Sequence, residues 1–203
     1  MNFEVVDNVF QTVTLLLSAA AAFVLSVMKR SRVLMMLSFG YISFMMGTLF
    51  YVLHIVILGY NPKIFYVSEV SWLAAYLFFF SIALLISEKT KFYLPGAVAA
   101  LLVYAVSFTV KIFGPSYITS TAFALLVAGI TYLSVCGIKK HGAKNSAAEI
   151  MMLACVLLQI ALYIVSVFMT DYTSFNLYFA VDIAFTLSMT ALLPIFCRRE
   201  SAQ

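Results

Sequence analysis

Seven long apolar runs, parted by gaps of only about four to nine residues, restrict this 203-residue chain to one kind of fold. Each run holds about 20 residues, enough for a helix rising ~1.5 Å per residue to cross a ~30 Å hydrocarbon core. A backbone in lipid must satisfy its own polar groups, which leaves helices or a closed barrel. Barrel strands alternate apolar and polar residues, and these runs do not. Hydrophobic residues make up 65% of the chain and charged residues 10%, against about 25% charged in a soluble domain. The sequence therefore predicts an all-α, polytopic seven-helix membrane bundle, a single domain over 1–203. The expected spans are about 9–28, 33–58, 65–87, 92–112, 117–138, 147–170 and 174–196.

Basic residues orient the bundle. Ten of the twelve fall in alternate gaps: Lys29, Arg30 and Arg32; Lys89 and Lys91; Lys139, Lys140 and Lys144; and Arg198 and Arg199 in the tail. Only Lys63 and Lys111 occupy the other gaps. Lys and Arg resist translocation and stay in short cytoplasmic loops. The expected arrangement is a multi-pass protein of the cell membrane with its N-terminus outside and its C-terminus in the cytoplasm. Aromatic residues mark the interfaces: Tyr60, Phe65, Tyr66, Phe113, Tyr117, Tyr172 and Tyr178 outside, Phe92 and Tyr93 inside. Short basic clusters beside apolar spans suit a lipid surface, and no nucleic-acid partner is expected. Glu4 and Asp7 stand where a signal peptide would be positive, so the first span is expected to be retained. Cys136, Cys155 and Cys197 map near cytoplasmic span ends, lack metal-type spacing and are read as structural. Pro95 suits the first turn of span four, and Pro194 is expected to bend or end span seven.

Gly40, Gly47, Gly129 and the Ala19–Ala22 run offer close helix contacts. Spans one to three and five to seven share their orientations. A shift of 112 residues lays Tyr163 on Tyr51, Tyr172 on Tyr60 and Tyr178 on Tyr66, and sets Lys144 on Arg32. Glu69 and Asp182 miss by one. This is the pattern of a 3+1+3 duplication with span four as a linker; the gathering of tyrosines at interfaces is the alternative account.

The gaps leave no room for a soluble domain, so function resides within the bundle or with a partner. Acids inside a span cost about 2.5–3.5 kcal/mol each and usually face the bundle interior. The ionisable residues within the spans are His54, Glu69 and Asp182, with Glu149 near an inner end. Asp182 is expected ~12 Å deep, and all three lie in the outer half. Glu69, Trp72 and Tyr76 share one helix face, as do Tyr51 and His54, and Gln159 and Tyr163. Tyr178, Asp182, Thr186 and Thr190 form a stripe running inward along span seven. The expected ligand site is Tyr51, His54, Glu69, Trp72, Tyr76, Tyr163, Tyr178, Asp182 and Thr186, a cavity of aromatics with a few polar anchors between spans two, three and seven. A plainer reading puts Glu69 and His54 in water at headgroup depth and makes Trp72 and Tyr76 packing residues. It has Thr186 and Thr190 bond their own preceding turns.

There is no GxSxG, no HExxH and no phosphate-binding loop, and His141 lies in a cytoplasmic gap, so a haem held between two facing histidines is unsupported. No catalytic residue, metal or cofactor is expected, and the chain is not read as an enzyme.

Seven spans, an acid in span seven and Trp72 in span three resemble the topology of microbial rhodopsins. That family attaches retinal to a lysine four residues after the acid, where this chain has Thr186. Residues 60–86, YNPKIFYVSEVSWLAAYLFFFSIALLI, resemble seven-span sensory input regions of bacterial signalling proteins. The resemblance implies ligand sensing. The sequence ends soon after span seven, so a separate signalling partner would supply the output. Three expectations follow: a receptor-like sensor binding a small ligand from outside; a small-solute or proton-coupled transporter using Asp182; or an assembly partner of another membrane protein.

Overall fold

A computed structural model describes residues 3–59, 66–87, 92–110, 116–169 and 171–201. They form seven helices: α1 (Phe3–Lys29), α2 (Arg32–Leu58), α3 (Tyr66–Ile86), α4 (Leu94–Thr109), α5 (Tyr117–His141), α6 (Ala147–Phe168) and α7 (Leu177–Ser201). No strand occurs among the described residues. Six helices are long and apolar enough to cross a membrane, as expected of a multi-pass membrane protein. The exception, α4, has 16 residues, about 24 Å of helix against an expected span over 92–112. Tyr60, Pro62, Lys63, Phe65, Lys89, Lys91, Lys111 and Phe113, and the side chain of Tyr66, lie outside the described residues.

Local chemistry sets the helix ends. The hydroxyl of Ser31 accepts the Leu34 N–H at 3.2 Å and starts α2; Gly59, at φ 75°, ends it. The side-chain oxygen of Asn176 accepts the Tyr178 N–H at 2.9 Å and starts α7, three residues later than the sequence suggested. Pro194 does not end α7, which continues to Ser201. Proline withholds only one donor here, from the carbonyl of Thr190, and the helix closes its later turns beyond it. The largest difference is at α1, expected to start near residue 9 and found to start at Phe3. Its first N–H groups are capped by another part of the chain: Phe3 N–H donates to the Thr173 carbonyl and Glu4 N–H to that of Tyr172, both at 3.2 Å.

The helices close into a ring in the order α1, α2, α3, α5, α6, α7 and back to α1. α4 stands outside this ring, packed on α5. Small residues bring the neighbours together. The Ser38 hydroxyl reaches the Ala19 carbonyl at 2.9 Å, and Ser68 reaches the Gly47 carbonyl at 2.9 Å. A Cβ on Gly47 would meet Trp72 Nε1 at 2.7 Å, and one on Gly129 would meet the Phe80 ring at 2.5 Å.

The two ends of the bundle differ in charge. Every described lysine and arginine lies at the end where α1, α3, α5 and α7 finish. Polar ties cross that end. Arg199 pairs with Glu149 at 2.8 Å and reaches the Ile86 carbonyl at 3.5 Å, and Lys29 donates to the Cys197 carbonyl at 3.1 Å. Lys139 sits 3.9 Å over the Tyr93 ring. Arg30, in the two-residue link between α1 and α2, takes φ 52°, which costs a residue with a Cβ roughly 1–2 kcal/mol. The three cysteines are free thiols; Cys155 stands well inside α6, about 12 Å from its start, rather than at a span end.

Candidate functional site

At the opposite end, where Glu4 lies, polar residues converge on the seam between α1 and α7. Glu4, Asp7 and Gln11 recur at i, i+3 and i+7, so they share the inward face of α1, and all three are buried. Asp182 and Thr186 stand one turn apart on α7 and face them. Gln11 joins the groups: its Nε2 donates to Asp182 Oδ1 at 3.0 Å and to Thr186 Oγ1 at 2.9 Å. Its Oε1 accepts the Thr48 hydroxyl at 2.7 Å. The carboxyls of Asp7 and Asp182 meet beside it, and Asp7 Oδ2 is buried with no hydrogen-bond partner. The Tyr51 hydroxyl donates to Glu4 Oε1 at 2.6 Å, one turn nearer the end of the bundle.

Above this cluster opens a polar chamber of about 190 Å³, walled by Glu4, Asn8, Tyr51, Ser166, Tyr172 and Tyr178. One wall is the loop between α6 and α7, knotted by Asp171. Asp171 Oδ1 accepts the Thr173 N–H at 2.8 Å and its hydroxyl at 2.6 Å, and Oδ2 accepts the Ser174 hydroxyl at 3.0 Å. These donors hold the exposed Asp171 carboxyl below the usual carboxylate range. Asn176 donates to the Asp171 carbonyl at 2.6 Å while capping α7. The loop thus presents Tyr172 to the chamber, and its ring meets that of Tyr178 at 5.2 Å.

The expected site residues divide between three places. Tyr51, Tyr178, Asp182 and Thr186 join the α1–α7 cluster and its chamber. Glu69 is buried across the ring, where the Thr119 hydroxyl of α5 reaches its Oε2 at 3.5 Å. Tyr76 donates to Gln159 at 2.8 Å in the core between α3 and α6. Tyr163 is partly buried and packs against the hydrophobic core. Trp72 packs on Gly47, 6.1 Å from the Phe44 ring, and His54 lies 6.1 Å from the Phe50 ring. Phe44 in turn meets Phe185 at 5.5 Å, so an aromatic column fills the space between Trp72 and α7. The polar stripe of α7 stops at Thr186, because the Thr190 hydroxyl bonds back to the Leu187 carbonyl at 2.9 Å. Asp182 is five residues into α7, about 8 Å rather than 12 Å, because the helix starts late.

Sequence reasoning missed Glu4, Asp7, Gln11 and Thr48. The signal was present in the i, i+3, i+7 spacing of three polar residues running into an apolar helix. Reading the two acids as a flank outside the first span concealed it.

The offset of 112 residues recurs in the contacts. It relates Asp7 to Thr119, and Glu69 to the residue before Asp182. The α3–α5 contact of Glu69 with Thr119 thus corresponds to the α7–α1 contact of Asp182 with Asp7. Two further bonds cross the ring: Tyr41 of α2 donates to the Met189 carbonyl of α7 at 2.6 Å, and Tyr76 of α3 donates to Gln159 Oε1 of α6 at 2.8 Å. No metal-type cluster of His, Cys, Asp or Glu occurs among the described residues.

Comparisons with known protein families, curated proteins and solved structures find no match to this chain.

Proposed function

We propose that this membrane protein binds a small cationic or hydrogen-bond-donating solute in the chamber between α1, α2, α6 and α7. The observation that carries this reading is the chamber itself, roofed by tyrosines and lying one turn above the paired carboxyls of Asp7 and Asp182. Glu4 stands in its wall. Carboxylates attract a cation, and tyrosine rings pack around its apolar parts. A volume of about 190 Å³ suits a solute of a few heavy atoms. The positive-inside rule puts the Arg199 end in the cytoplasm and opens the chamber to the outside.

Sensing and transport both build on such a site. Transport is favoured by one further observation: the seam holding Asp7 and Asp182 joins the first helix triplet to the last, and polar ties from Arg199 and Lys29 cross the far end. Carriers built from repeats bind at the repeat interface and open alternately to either side. A carboxyl pair in that position takes up a proton or exchanges it for a cation.

The test uses the purified protein in nanodiscs, with methylammonium, tetramethylammonium and choline as probes in calorimetry. At least one should bind saturably and lose tenfold or more in affinity in Asp182→Asn and in Glu4→Gln. If none binds, or if binding survives both changes, the chamber is not the site. In proteoliposomes, saturable uptake abolished by Asp182→Asn identifies a carrier. Binding without uptake identifies a sensor, which needs a second bundle state that the solute favours.

A further inference from the structure

A second site lies at the opposite end of the molecule and is independent of the chamber. An open groove of about 460 Å³ runs between α1, α2 and α3, lined by Ser26, Val27, Met35, Met36, Phe39 and Phe78, with Arg30 and Arg32 at its mouth. The groove is amphipathic along its length. The two guanidiniums stand in and beside the short link between α1 and α2, at the ends of these two long apolar helices. Phe39 lies seven residues further along α2 and Phe78 eight residues before the end of α3, about 10–12 Å deeper. Their rings approach at 5.7 Å and form the apolar floor. Neither Arg30 nor Arg32 has an acidic partner among the described residues; Lys29, beside them, is already engaged by the Cys197 carbonyl. Arg30 is held at the mouth in a left-handed conformation that the two-residue link imposes.

We propose that this groove holds one anionic phospholipid, with its phosphate between Arg30 and Arg32 and an acyl chain along Met35, Met36, Phe39 and Phe78. Charge complementarity selects the headgroup: guanidinium forks bind phosphate in pairs, and basic pockets between helices suit anionic lipid. The apolar floor selects a lipid over a free phosphate, which would leave the groove below it unfilled. The lipid completes a surface that α1, α2 and α3 leave concave and fixes the α1–α2 link at the membrane interface.

Native mass spectrometry of the intact chain tests this, with phosphatidylglycerol and phosphatidylcholine of equal chain length. The wild type should retain one phosphatidylglycerol at least tenfold better than phosphatidylcholine. Arg30→Gln with Arg32→Gln should remove that preference, whereas Lys139→Gln with Lys140→Gln should keep it. Met36→Trp, which fills the groove and leaves both arginines, should weaken retention of either lipid. Equal retention of the two lipids by the wild type overturns the proposal. So does a preference that survives the double arginine change, or one lost equally in the lysine variant, which would indicate diffuse surface charge.

Discussion

Gln11 shows how one side chain fixes a buried cluster. A carboxamide both donates and accepts, and Gln11 uses both ends, toward α7 and toward Thr48 of α2. Replacing it by leucine keeps the volume and removes three bonds at once. Interhelical hydrogen bonds in membranes average about 0.6 kcal/mol and reach about 1.7. Gln11→Leu should therefore cost roughly 1–3 kcal/mol in a reversible unfolding titration in detergent. Asn8→Ala should cost less, because the Asn8 side chain donates only to the Glu4 carbonyl in its own helix. At this scale the sequence was half legible. Asp182 declared itself because an acid deep in an apolar run is too costly to be incidental. Asp7 and Gln11 were hidden because an acid near a chain end reads equally well as solvated, and only the capping carbonyls of Tyr172 and Thr173 extend α1 far enough to bury it.

Between residue and fold, the helix contacts depend on small groups and on one loop. Gly47→Ala would push a methyl group against Trp72 Nε1 at 2.7 Å and the backbone oxygen of Ser68 at 3.0 Å, and the latter cannot rotate away. Overpacking of this kind costs about 1–3 kcal/mol. The thermal midpoint should fall, while Gly59→Ala, which meets nothing within 4 Å, should show only the smaller backbone strain of its positive φ. The Asp171 knot predicts a pH dependence. Its carboxyl is held below its ordinary value of 3.8, so the loop is fully anchored above that value and loosens only as pH falls through the lowered one. Amide exchange at Thr173 should therefore be unaffected by this group across neutral pH, and Asp171→Asn should speed it at pH 7. Helix existence and face were readable here because period and length are strong signals. The loop was not, since its place is fixed by the carbonyls of Tyr172 and Thr173 that cap the start of α1.

For the whole molecule, α1 to α3 and α5 to α7 close one ring, with α4 packed outside it on α5. The 112-residue offset could not show which faces meet; that required the α1–α7 contact to close. The far end of the ring makes a prediction of its own. Arg199→Gln breaks the ion pair of the buried Glu149, a loss of roughly 1–3 kcal/mol. Adding Glu149→Gln should restore much of it, and a double-mutant cycle by detergent unfolding reads the coupling.

Ring closure also has a consequence for how the protein is made. Gln11 and Asp182 are 171 residues apart in sequence, so α1 emerges from the ribosome long before α7 exists. Until then Asp7 and Gln11 lack their α7 partners. α1 is thus secured first by α2, through Thr48 on Gln11, Tyr51 on Glu4 and Ser38 on the Ala19 carbonyl, and by α7 only at the end. Substitutions at Asp182 or Thr186 should therefore be felt at the last step of assembly, when α7 docks on an α1–α2 pair already formed.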